Sequence, residues 1–93
     1  MAELICERVS RGMRDSERTV TIRDAVNGRR DFLRVEADFL TFNSGRYYLP
    51  VGIVQEEPQQ GLVLIELPQE SETGYNRHWV RTEDLLQTNG ASS

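Results

Sequence analysis

Hydrophobic and polar positions along this chain alternate in short bursts, and almost nowhere with the three-to-four-residue spacing of a helix. Thr19–Val26 and Arg29–Val35 flank Asn27-Gly28, the dipeptide best suited to a two-residue turn with positive φ at both centres. Pairing outward from that turn sets Val26 opposite Arg29, Ile22 opposite Leu33 and Val20 opposite Val35, which gives one shared apolar face. Asp24 and Asp31 then oppose each other on that same face. Such a repulsive pair implies either a bulge near the turn or relief from Arg29 and Arg30.

A second hairpin is expected at Ser44-Gly45, with Phe42 opposite Tyr47 and Leu40 opposite Leu49. Tyr47 and Tyr48 point to opposite faces of their strand, so one of them must lie near the surface. Pro50 cannot donate to a ladder and implies a bend or an edge before Val51–Glu56 continues as a strand. "EEPQQG", residues 56–61, reads as the turn into Leu62–Leu67. In "LVLIELP" both faces are apolar for four residues, so the second face needs a cover: the N-terminal segment Leu4–Val9, closure of the sheet, or a second copy of the chain. "QESETGYN" reads as an exposed loop and Arg77–Arg81 as the last strand. "TEDLL" reads as a single helical turn capped by Thr82, with Leu85 and Leu86 folding back on the core.

Outside these elements, Glu3–Met13 is compatible with a short helix and "SRGMRDSER", residues 10–18, with a loop. The expected division is therefore a partly ordered N-terminal segment over 1–18, a small β domain over 19–87 and a disordered tail over 88–93. The fold class is mostly β: a small barrel or a strongly twisted antiparallel sheet of five to six short strands, with one helical turn near the C-terminus. That outline resembles SH3-like small barrels. The resemblance is architectural only, because the chain has no "ALYDY"-like opening and no tandem tryptophan ahead of a strand, so no binding residue carries over.

Composition agrees with one folded domain: 93 residues, 38% hydrophobic and 28% charged. The longest apolar run, Leu62–Ile65, falls far short of a membrane span, and the start "MAELICERVSRG" lacks an export signal, which together imply a cytoplasmic protein with no membrane partner. The net charge of -4 is unevenly spread. Residues 1–34 carry eight arginines against six acids, and residues 35–93 carry three against nine. All eleven basic residues are arginine, which removes lysine nucleophiles, Schiff-base chemistry and a phosphate-loop lysine.

Candidate chemistry is sparse. One cysteine, Cys6, rules out an intrachain disulfide, and one histidine, His78, rules out a two-histidine metal site. The glycines sit singly at turns without nucleotide-binding spacing, and no Gly-x-Ser-x-Gly turn is present. No catalytic residue, metal ligand or cofactor is assigned, and a non-enzymatic protein is expected. On Arg77–Arg81, Trp79 shares one side with Arg77 and Arg81 while His78 and Val80 take the other. If Val80 faces the core, Trp79 lies outward between two arginines, an arrangement suited to a protein partner with Tyr75 nearby; if Trp79 faces the core, the arginines escape at the strand ends.

The function expected is a small β interaction module that binds another protein, including by self-association of the Arg-rich hairpin with the glutamate-rich stretch 54–74 of a second copy. The alternative is single-stranded nucleic-acid binding through Arg23, Arg30 and Arg34 around Phe32, a surface that pairs guanidinium groups with a stacking ring.

Overall fold

The computed structural model describes residues 2–87. Strands β1 (Ala2–Ile5), β2 (Arg8–Arg11), β3 (Glu17–Arg23), β4 (Arg30–Glu36), β5 (Thr41–Asn43), β6 (Arg46–Glu57), β7 (Leu62–Glu66), β8 (Arg77–Arg81) and β9 (Leu85–Gln87) pair throughout as antiparallel neighbours. The first sheet runs β8-β7-β6-β1-β9 with β5 also on β6, and the second runs β2-β3-β4. The ladders do not join into a closed barrel. Single bonds stitch the sheets instead: the Glu7 N–H donates to the Thr21 carbonyl at 2.9 Å, and the Ala25 N–H to the Trp79 carbonyl at 2.7 Å.

The alternation seen in the sequence makes the core. Val20, Ile22, Leu33 and Val35 from the second sheet pack with Leu4, Leu49, Val51, Val63, Ile65 and Val80 from the first in one cluster. Strands β4 and β7 bury every second residue, as a one-sided sheet requires. Leu62 and Leu64 are only half-buried on the outer face of β7. Within the chain they are flanked not by the N-terminal segment but by β8, where Trp79 stands opposite Leu64 and Arg81 opposite Leu62 across the β7–β8 ladder.

The second hairpin has the expected register, Phe42 with Tyr47 and Asn43 with Arg46, because Ser44 (φ 54°) and Gly45 (φ 80°) close it in two residues. Its Phe42 and Tyr47 rings pack together at 4.8 Å on the surface rather than in the core, while Tyr48 is half-buried. Pro50 sits inside β6, opposite Glu3, between the stretch paired to β5 and the stretch paired to β7, so it interrupts neither of those ladders. A bulge at Val54 bends the strand beyond it.

Four expectations are corrected. The first hairpin pairs Val20 with Leu33 and Arg23 with Arg30, a register displaced by two residues that leaves a six-residue connection at 24–29. A shift of two preserves which face each side chain occupies, so the apolar face survives. Glu3–Met13 is not helical: Ala2–Ile5 and Arg8–Arg11 are strands, and β1 lies inside the first sheet between β6 and β9. Thr82–Asp84 is one 3₁₀ turn, yet Arg81 and not Thr82 occupies its capping position, without a side-chain bond. Beyond it Leu85–Gln87 pairs with β1, burying Leu85 and leaving Leu86 exposed. The tail expected over 88–93 lies outside the described residues. Among the described residues no helix is long and apolar enough to cross a membrane.

Candidate functional site

Asp24 leaves the end of β3 and folds the connection around itself. Its Oδ1 accepts the N–H groups of Val26 (2.9 Å) and Asn27 (3.2 Å), and its carbonyl accepts the Gly28 N–H at 2.9 Å. Asn27 Oδ1 in turn accepts the Arg29 N–H at 2.8 Å. These side-chain caps are the physical reason that Asn27-Gly28 does not form a two-residue turn: Asp24 satisfies the backbone locally and ends the ladder early.

The second Asp24 oxygen turns inward. Oδ2 lies 3.1 Å from His78 Nδ1 and also accepts the Trp79 N–H at 3.3 Å. On the other side of the ring, His78 Nε2 lies 2.9 Å from Asp31 Oδ2. One imidazole thus bridges two carboxylates, and all three groups are buried, with Asp24, Asp31 and His78 only 7%, 3% and 8% exposed. In the observed register Asp31 faces Ile22 rather than Asp24, and the two aspartates are brought together on His78 from β8, not on Arg29 or Arg30.

The network is closed by the loop between β7 and β8. Thr73 donates its hydroxyl to Asp31, 3.0 Å from each oxygen, and bonds to the buried Ser71 hydroxyl at 3.1 Å. The Phe32 N–H reaches Asp31 Oδ1 at 2.8 Å. Ser71 Oγ accepts the Tyr75 N–H and the Leu67 N–H donates to the Asn76 carbonyl, closing the loop on itself, while the Glu72 N–H donates to the Phe32 carbonyl and ties it to β4.

Burial alone pushes the Asp24 carboxyl up, and His78 with the N–H groups of Val26, Asn27 and Trp79 outweighs it, leaving the group below its ordinary range. Asp31 is likewise raised by burial and brought below the ordinary range by Ser71, the Phe32 N–H, Thr73 and His78. Ionised carboxylates only accept, and each ring nitrogen of His78 stands within hydrogen-bond distance of one of them. Every buried side-chain nitrogen and oxygen among the described residues has a partner. Both ring nitrogens of His78 are taken up within this network.

Above this floor lies a cavity of about 250 Å³ that Arg29, Arg30, Tyr75 and Arg77 also line. Tyr75, grouped with Trp79 on sequence grounds, belongs here: its exposed ring meets His78 edge-on at 6.1 Å. Comparison with protein-family models, curated proteins and solved structures finds no match.

The other residues singled out in the sequence fall on two surfaces. His78 and Val80 face inward, so Arg77, Trp79 and Arg81 share the outer side of β8, with Arg77 3.8 Å from Glu66 and Arg81 2.9 Å from Glu83. Trp79 is half-buried there beside Leu62 and Val26, the latter 63% exposed, around a shallow depression. Arg23, Arg30, Phe32 and Arg34 do share the outer face of β3–β4. Three of these cations are engaged within the chain: Arg23 and Arg30 converge on Glu7 Oε2 at 3.2 and 3.1 Å, and Arg34 meets Glu72 at 3.2 Å. The hydrogen bond from Arg23, against a small burial cost and joined by Arg30, holds the Glu7 carboxyl below its ordinary range. The Arg-rich hairpin therefore presents less free positive charge than its sequence implies.

Proposed function

We propose that the chain is a small β interaction module, non-enzymatic and cytoplasmic, that binds an extended segment of another protein across the outer face of β7–β8. The observation that carries this reading is the apolar strip of Leu62, Leu64, Trp79 and Val26, rimmed by Arg77 and Arg81 on a strand whose far side is held by one backbone bond to Ala25. A half-buried tryptophan set among apolar neighbours suits a segment carrying an apolar anchor. In this reading the two sheets act together as an SH3-like scaffold, and the bond from Ala25 to Trp79, which brings the end of β3 to β8, supports that closure. The commitment of both His78 nitrogens supports a non-enzymatic role.

The nucleic-acid alternative is less favoured because Glu7 and Glu72 already occupy its arginines. The same pairs weaken the head-to-tail version of self-association. The test is a photo-reactive residue at Val26, exposed to light in cells. A discrete adduct with a second protein that disappears with Trp79→Ala supports the reading. Adducts with the chain itself would replace the partner by a second copy, and no adduct dependent on Trp79 would refute the face as a binding surface.

A further inference from the structure

We propose that the cavity over the Asp24–His78–Asp31 bridge binds an oxyanion of the phosphate class. The argument is an inventory of donors and acceptors around that cavity. Its acceptors are spent: both Asp24 oxygens and both Asp31 oxygens hold donors, and the Asn27 Oδ1 holds the Arg29 N–H. Donors remain. Arg29 has no ion pair among the described residues, and Arg77 reaches Glu66 only at 3.8 Å. Arg30 engages Glu7 through Nε at 3.1 Å, which leaves its terminal nitrogens available. The Asn27 amide and the Tyr75 hydroxyl add neutral donors on the same lining.

A concave site lined by three arginines, with its carboxylate and side-chain amide acceptors already taken, favours a ligand rich in acceptors. Phosphate is such a ligand, and arginine forks match its oxygens. The volume of about 250 Å³ lies below that of sites for drug-sized molecules, roughly 300–1,000 Å³, and fits a phosphate group with little attached. The two buried carboxylates turn their oxygens to His78, Thr73 and backbone N–H groups rather than into the open part of the cavity. The inference is independent of the Trp79 face, since the bond tying that residue to Asp24 comes from its backbone.

The test is a titration followed by the arginine Nε–Hε and backbone amide signals of the whole chain in ¹H–¹⁵N NMR. Inorganic phosphate and a short phosphoserine peptide are the probes, with chloride at matched ionic strength as the control. The expected result is saturable movement confined to Arg29, Arg30, Arg77 and the 24–31 and 71–78 amides. Arg29→Gln, a change on an exposed connection, should leave the rest of the spectrum unchanged and weaken phosphate binding about tenfold. A peptide preferred over inorganic phosphate points to a phosphorylated protein as the source, and the reverse to a free phosphorylated small molecule; both support the site. Movement that is linear and as large at Arg46 as at Arg29, or an Arg29→Gln chain that binds as the parent does, overturns it.

Discussion

Replacing His78 with leucine removes the imidazole that two buried carboxylates share and supplies an apolar side chain of comparable size. Asp24 keeps its three backbone donors, and Asp31 keeps Phe32 and Thr73, so neither loses all its hydrogen bonds. Both lose the ring they share while only 7% and 3% exposed. Removing one partner from a buried ionic group costs about 3–5 kcal/mol, because the remaining charge stays buried. Native domains are stable by roughly 5–15 kcal/mol in total, so His78→Leu should leave a marginal fold. With a urea slope of about 1–3 kcal/mol per molar, the unfolding midpoint should drop by on the order of 2 M.

The assay is urea unfolding at neutral pH followed by Trp79 fluorescence and by circular dichroism, in His78→Leu, Asp31→Asn and the double variant. If the bridge is ionic, the leucine costs less once Asp31 is neutral, and the cycle should return a coupling of about 1.5–3 kcal/mol. Additive losses would refute the bridge. So would a single-variant loss under about 1 kcal/mol, the scale of an ordinary hydrogen bond.

Three further outcomes are expected. Asp24 and Asp31 titrate below their ordinary range, so their contribution is complete above the unfolded carboxylate value of about 3.9 and is lost as pH falls through their lowered folded values. Urea midpoints measured down the acid range should fall there, and Asp31→Asn should flatten the fall; a midpoint insensitive to acid contradicts the assignment. Burial pushes the Cys6 thiol up to about 12, so a disulfide reagent at mildly alkaline pH should label the native chain far more slowly than the unfolded one, and equal rates would place Cys6 at the surface. Gly45→Ala, at φ 80°, should cost about 1 kcal/mol in thermal unfolding, whereas Gly52→Ala, with its nearest side-chain atom 4.0 Å away and no positive φ, should cost little; equal costs would refute the turn assignment.

The local parts of the fold were readable from the chain and the non-local parts were not. Ser44-Gly45 closes its hairpin in two residues, so outward pairing from the turn gave the register of Phe42 with Tyr47. Asn27-Gly28 misled by two positions because Asp24, four residues from Gly28, competes for the same backbone. Glu3–Met13 is compatible with a helix because "AELI" is too short to display a period, and the identity of β1 as a strand depends on β6 and on β9, far along the chain. The site left one visible trace: two aspartates on the apolar face of a predicted hairpin. The nearest candidate partners in sequence are Arg29 and Arg30, while His78 lies 47 and 54 positions away. Periodicity paired His78 with Val80 on one side of the last strand, and buried Val80 decides that the histidine faces inward as well.

The ladder between β1 and β9 sets a condition on how the chain is made. Ala2 faces Gln87 across it, 85 positions apart, and Leu4 faces Leu85. During synthesis β1 leaves the ribosome long before β9, and one of its edges can be matched only after that strand has emerged. Until then that edge is open to any extended segment of another nascent chain. Closing so long a loop comes late in folding and makes the whole process slow for a chain of this size. Translation rate and early shielding of Ala2–Ile5 should therefore govern yield more than the stability of the finished fold does.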